Sequence, residues 1–91
     1  MNQIRASHIL VDHEHEANDL LVKIKEGKTF EELAQKFSKC PSGEQGGDLG
    51  FFKKGMMVPE FETAAFALQT GETTTGPIKT QFGYHLIKRT E

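Results

Sequence analysis

Residues 74–89 read TTGPIKTQFGYHLIKR. Two β-prone runs, Thr74 to Thr80 and Tyr84 to Arg89, flank Gln81-Phe82-Gly83. A short glycine-containing connection between such runs predicts a hairpin. Alternation along a strand puts His85 and Ile87 of the last run on one face. The elements that precede this hairpin set the fold class.

Working back along the chain, Pro59 suits the first turn of a helix that presents Phe61, Ala64, Ala65 and Leu68 on one side, with Gly71 as its stop. Leu49 to Lys53 predicts a short strand. Between Cys40 and Gly50, Pro41 and four glycines predict a loop. Thr29 with Glu32 forms a capping-box pattern ahead of the stripe Phe30, Leu33, Ala34, Phe37. Ala17, Leu20, Leu21 and Ile24 recur at helical spacing and end at Gly27. Ile4 to Val11 predicts a first strand. Ile4, Ala6, His8 and Leu10 share its face, which puts a histidine on an otherwise apolar surface. The order β-α-α-β-α-β-β with a terminal hairpin predicts an α+β domain whose sheet is mainly antiparallel.

The 91 residues carry a net charge of -2. That length predicts one domain, 1–91, with a modest core and only a shallow groove for any ligand. The eleven basic residues are scattered, so general attraction to nucleic acid is not expected. A single cysteine cannot close an internal disulfide. There is no long apolar leader core and no run near the ~20 apolar residues of a membrane span. Together these predict a soluble, cytoplasmic protein with no membrane span.

Four kinds of site compete. Gly27-Lys28-Thr29 resembles the end of a phosphate-binding loop, but Val22 stands where its first glycine belongs. A helix stop followed by a helix cap explains all three residues. Asp12-His13-Glu14-His15 offers metal ligands, but the spacing matches no common zinc pattern, and residues two apart diverge on a helix. No metal is expected. Cys40 with His8 or His85 as base would suit covalent catalysis, yet Pro41 has no N–H to offer an oxyanion. Finally, Leu49, Phe51, Phe52, Met56, Met57, Val58 and Phe61 fall within thirteen residues. Methionines in a glycine-flanked connection suit an adaptable apolar wall. From the residues alone, core packing and a binding groove both remain open.

Ser7-His8-Ile9-Leu10-Val11, Cys40-Pro41-Ser42, Gly46-Gly47-Asp48-Leu49-Gly50, Met57-Val58-Pro59-Glu60-Phe61 and Thr80-Gln81-Phe82-Gly83-Tyr84-His85 together resemble the parvulins. These are small peptidyl-prolyl cis/trans isomerases. The match runs in order from near residue 5 to the C-terminus. The resemblance implies a four-stranded antiparallel sheet wrapped by helices, of the FKBP-like superfold. It implies rotation of X–Pro bonds in unfolded or flexible polypeptides, by non-covalent catalysis and without a cofactor. It assigns His8, Cys40, Thr80 and His85 to a hydrogen-bonded catalytic set. It assigns Leu49, Met57 and Phe61 to the pocket for the proline ring, with Phe52 and Phe82 at the rim. Cys40 stands where the family carries Cys or Asp, which implies an environmental role for the thiol. Asp12 stands where phospho-specific members carry basic residues, so no phosphate preference is expected. The expected partners are proline-containing segments of client proteins, met by a monomer. A peptide-binding holdase of the same fold is the alternative.

Overall fold

The computed structural model of the chain describes residues 3–91. The predicted order is observed: β1 (Gln3–Val11), α1 (Glu14–Lys25), α2 (Phe30–Phe37), a 3-10 turn (Pro41–Gln45), β2 (Asp48–Lys53), α3 (Pro59–Ala67), β3 (Ile78–Thr80) and β4 (Gly83–Arg89). The strands form one sheet in the order β2-β1-β4-β3, and every neighbouring pair is antiparallel.

The hairpin is shorter on its first arm than its sequence predicts. Gly76-Pro77 interrupts the run, and β3 keeps only Ile78–Thr80. Proline cannot donate to a ladder. Upstream, Thr74 still touches β4, with its N–H donating to the Ile87 carbonyl at 2.9 Å.

The two faces of the sheet bury different elements. Ile9, Val11 and Leu86 pack on one side against Ala17 and Leu20 of α1 and Phe30, Leu33 and Ala34 of α2. Ile4, Ala6 and Ile87 pack on the other with Phe52, Phe61 and Ala65. Strand alternation explains the split, since odd and even positions of β1 point opposite ways. α2 begins where predicted, the Glu32 N–H donating to Thr29 Oγ1 at 3.2 Å.

Two irregularities in the pairing of β1 position the side chains at one end of the sheet. Arg5 pairs with Phe51 but Ser7 pairs with Asp48, so β2 carries one extra residue. Gly50 takes φ +72° in this bulge, a conformation that favours glycine. A bulge of this kind re-aims the adjacent side chain, here Leu49. Further along β1, the Gly47 carbonyl accepts the His8 N–H at 2.9 Å. Ser38 Oγ then accepts the Leu10 N–H at 3.1 Å. The loop after α2 thus takes over the backbone groups that β2 leaves free.

Candidate active site

A groove of about 480 Å³ opens on the α3 face of the sheet, at the end where β1 gives way to α1. Leu10, His8 and His85 come from the sheet. Leu49, Met56, Met57, Val58 and Phe61 come from β2, α3 and the connection between them. Lys39, Cys40 and Pro41 stand in a segment after α2, and Phe82 comes from the hairpin turn. Apolar side chains dominate this lining.

The register of β1 against β4 brings the two histidines together. His8 pairs with Ile87 and His85 pairs with Leu10. The imidazoles are therefore diagonal neighbours on one face, within reach of ring contact. Their Nδ1 atoms lie 3.0 Å apart. The rings stack at 5.2 Å and 19°. Phe61 meets both edgewise, at 5.5 Å from His8 and 5.3 Å from His85.

Beyond the pair, Thr80 Oγ1 lies 2.7 Å from His85 Nε2. The same hydroxyl oxygen accepts the Phe82 N–H at 3.2 Å, which ties the hairpin turn to the histidines. His8 Nε2 is buried without a hydrogen-bond partner among the described residues.

Burial pushes the His8 imidazole down from an ordinary 6.5 to about 4, and the neighbouring His85 adds to the shift. Burial lowers His85 as well. Both rings are neutral at pH 7. One proton then lies between the two Nδ1 atoms, and Thr80 either donates to His85 Nε2 or accepts from it. His8, His85 and Thr80 form a fixed line of dipoles.

Cys40 departs from the expected four-membered set. It lines the groove, but its sulfur accepts the Ser42 hydroxyl at 3.3 Å. The thiol belongs to the wall after α2, and the residue two positions on takes its hydrogen bond. Among the described residues no base hydrogen-bonds to it, so the cysteine-hydrolase alternative lacks its essential contact.

Phe52 is a second correction. It was expected at the rim and is 1% exposed. Register gives the reason: Phe52 pairs with Ile4, four residues along β1 from His8, or ~13 Å away at strand spacing. It packs under α3, with its ring 6.1 Å from Phe61 and 5.9 Å from Phe66. Phe52 therefore backs the pocket wall without touching the groove. Phe82, by contrast, is 59% exposed at the mouth.

Five lining residues escaped the site assignment, Pro41 among them as the neighbour of Cys40. Met56 and Val58 were legible only as members of the apolar cluster. Leu10 shares the His8 face of β1, and that parity was the signal for it. Lys39 carried no signal, because only the chain path after α2 brings it to the rim. Elsewhere, His13 and His15 stack at 5.4 Å and 10°. No group of three or more His, Cys, Asp or Glu side chains is arranged to hold a metal among the described residues.

The family profile described as "Rotamase: PPIC-type PPIASE domain" matches residues 8–91. Foldase protein PrsA of Bacillus subtilis is 51% identical over 90 residues, which is 98% of this chain and 30% of that protein. The chain thus spans about a third of the length of the curated relatives it matches. The crystal structure of PrsA from Bacillus subtilis superposes with a TM-score of 0.95 at 49% identity, covering 99% of this chain and 35% of that one. The solution structure of NmPin, the parvuline of Nitrosopumilus maritimus, superposes with a TM-score of 0.88 at 49% identity, covering 100% of this chain and 98% of that one.

Proposed function

Because the chain belongs to the PPIC-type, or parvulin-type, peptidyl-prolyl isomerase family, we propose that it rotates X–Pro bonds in exposed, flexible segments of client proteins without requiring phosphate. The observation that carries this reading is an apolar groove backed by two neutral, mutually hydrogen-bonded histidines.

An X–Pro bond turns slowly because resonance stiffens it, with a barrier of about 18–20 kcal/mol. Uncatalysed exchange takes tens to hundreds of seconds. The protein must bind the twisted amide better than either planar form. Leu49, Met57 and Phe61 hold the proline ring, which anchors one side of the rotating bond. The same walls displace water from the imide. Water favours the charge-separated planar form over the twisted one, so displacement lowers the barrier. The His8–His85–Thr80 line adds a fixed field that needs no reorganisation during rotation. No bond is broken, so Cys40 acts through its polarity and shape. Cys40→Asp is expected to retain appreciable activity.

Phosphate independence is supported by the start of α1. Asp12, Glu14 and Glu16 cluster there, and Lys39, the nearest base at the groove, already faces Asp12 at 3.9 Å. A phosphate dianion needs more donors than one shared lysine. We also propose that the chain acts as a monomer, and that it works in the cytoplasm. The latter rests on its lone, half-buried cysteine.

The test is NMR exchange on unphosphorylated X–Pro peptides with catalytic amounts of protein. Faster cis/trans exchange establishes the reaction. Binding without acceleration moves the function to the holdase alternative. A large gain on phosphoserine-proline peptides removes the phosphate argument.

A further inference from the structure

Among the described residues, Lys39 is the one charged side chain that lines the groove, since both histidines there are neutral. We propose that Lys39 determines specificity, selecting substrates with an acidic residue next to the proline. The proposal rests on the isomerase reading above and names the substrate class of that same groove.

The base of Lys39 is fixed. Its N–H donates to the Leu10 carbonyl at 2.7 Å. On either side, Ser38 Oγ accepts the N–H groups of Leu10 and Cys40 at 3.1 and 3.3 Å. Leu10 and Cys40 themselves line the groove. The ammonium group therefore swings from an anchored point at the rim, on a flexible four-carbon stem.

Its present partner holds it weakly. Asp12 lies 3.9 Å from Nζ, and the two side chains are 61% and 58% exposed. Open pairs of this kind contribute little and exchange readily for another carboxylate. Asp12 does not line the groove. The adjoining depression, which Lys39 also borders, sets Glu16 and Asp19 against Lys23 and Lys36. Those four charges balance. A peptide in the groove therefore meets the Lys39 ammonium, only loosely shared with Asp12, as the charged group of the described lining.

A proline seated against Leu49, Met57 and Phe61 carries its neighbours' Cα atoms about 3.8 Å to either side. A carboxylate on one of them comes within reach of Nζ. Attraction at ~4 Å in a water-like dielectric corresponds to about fivefold in binding. Asp12 offsets part of that, leaving roughly threefold to fivefold at low ionic strength.

The experiment compares kcat/KM, by exchange NMR, for peptides with Glu or Gln immediately before or after proline, with an all-Ala reference. It is run at about 20 mM and about 500 mM salt, because screening separates charge reading from shape reading. The expected Glu-to-Gln ratio is about threefold to fivefold at one of the two positions, and near one at high salt. In Lys39→Gln the ratio should fall to one, and in Lys39→Glu it should drop below one. A ratio of one at both positions in the parent protein overturns the proposal, as does a preference that survives Lys39→Gln. In either case, acceleration of the all-Ala peptide leaves the isomerase reading intact. Failure to accelerate any peptide brings down that reading and this proposal with it.

Discussion

Acid should unfold this protein through its histidine pair before it unfolds it through its carboxylates. His8 binds its proton near pH 4 in the folded chain and near pH 6.5 when exposed. Between those values the unfolded chain carries a proton that the folded chain lacks. Stability therefore rises with pH across that window. The His8 contribution is complete above pH 6.5 and is lost progressively as pH falls towards 4. At about 1.4 kcal/mol per pH unit, it amounts to about 3 kcal/mol. His85 is lowered too, so it acts in the same direction. Against a typical total of about 5–15 kcal/mol, the loss is large.

Urea unfolding followed by circular dichroism, at intervals from about pH 7.5 to about pH 4.5, measures this directly. Asp48 does not confuse the result. The Arg5 guanidinium holds its carboxyl below the ordinary 3.8. Its contribution is present above that value and fades only below it. The control is His8→Leu, which should flatten the pH dependence by about 3 kcal/mol. Imidazole NMR adds an independent reading: the His8 ring should stay neutral until well below pH 6. A flat stability profile over this range, or a His8 titration near 6.5, would refute the burial argument.

Four further outcomes follow from the geometry. Gly47→Ala should destabilise by about 2–4 kcal/mol and depress kcat/KM. Gly47 has φ +88°, and an added Cβ collides with the His8 carbonyl oxygen, so thermal melts and exchange rates should both move. Thr80→Val leaves His85 Nε2 and the Phe82 N–H without their shared partner. It should cost about 1–3 kcal/mol and lower kcat, with Thr80→Ser restoring both in the same assays. Met57→Ala is expected to cut kcat/KM by about tenfold with a small loss of stability, because its half-buried side chain faces the groove. Phe61→Ala should lower activity and also cost about 3–5 kcal/mol, because that ring is 3% exposed and packs on Phe52 and both histidines.

The fold was legible because its signals are local. The stripes of α1 and α2, the Thr29 cap and the Pro59 start all act within one or two turns of helix. The terminal hairpin was legible at its turn and misjudged at Thr74–Pro77, where a proline outweighs a β-prone neighbourhood. The site was legible in part. The parity of β1 placed His8 on an apolar face, and the family resemblance supplied its partner in His85. Register was not legible. Phe52 and Leu49 sit three residues apart, a spacing that predicts opposite faces, yet the bulge at Gly50 brings both to the α3 face, Phe52 in the core and Leu49 at the groove. Cys40 shows the same limit on a smaller scale. Its place at the wall was foreseen, but the hydroxyl of Ser42, two residues away, competes successfully for its sulfur.

The placement of the two histidines explains why the sheet is built as it is. An imidazole exposed on a loop would titrate near neutrality and would be hydrated, and its dipole would turn with the solvent. On β1 and β4 the backbone ladder holds both rings, and Phe61 closes over them. Thr80 and the Phe82 N–H then fix the far end of the line. The same burial leaves His8 Nε2 without a partner among the described residues and makes the fold vulnerable to acid. An apolar pair at these positions would pack with neither penalty. The pair is therefore poorly explained by stability and well explained by a need for an oriented, uncharged polar surface behind the groove. His8→Leu separates the two accounts. It should lose less stability than the parent between pH 7.5 and pH 5 while lowering kcat/KM at pH 7.5, measured on peptides whose binding is unchanged. Equal activity in that variant would mean that the imidazoles only fill space, and that the apolar walls alone turn the bond.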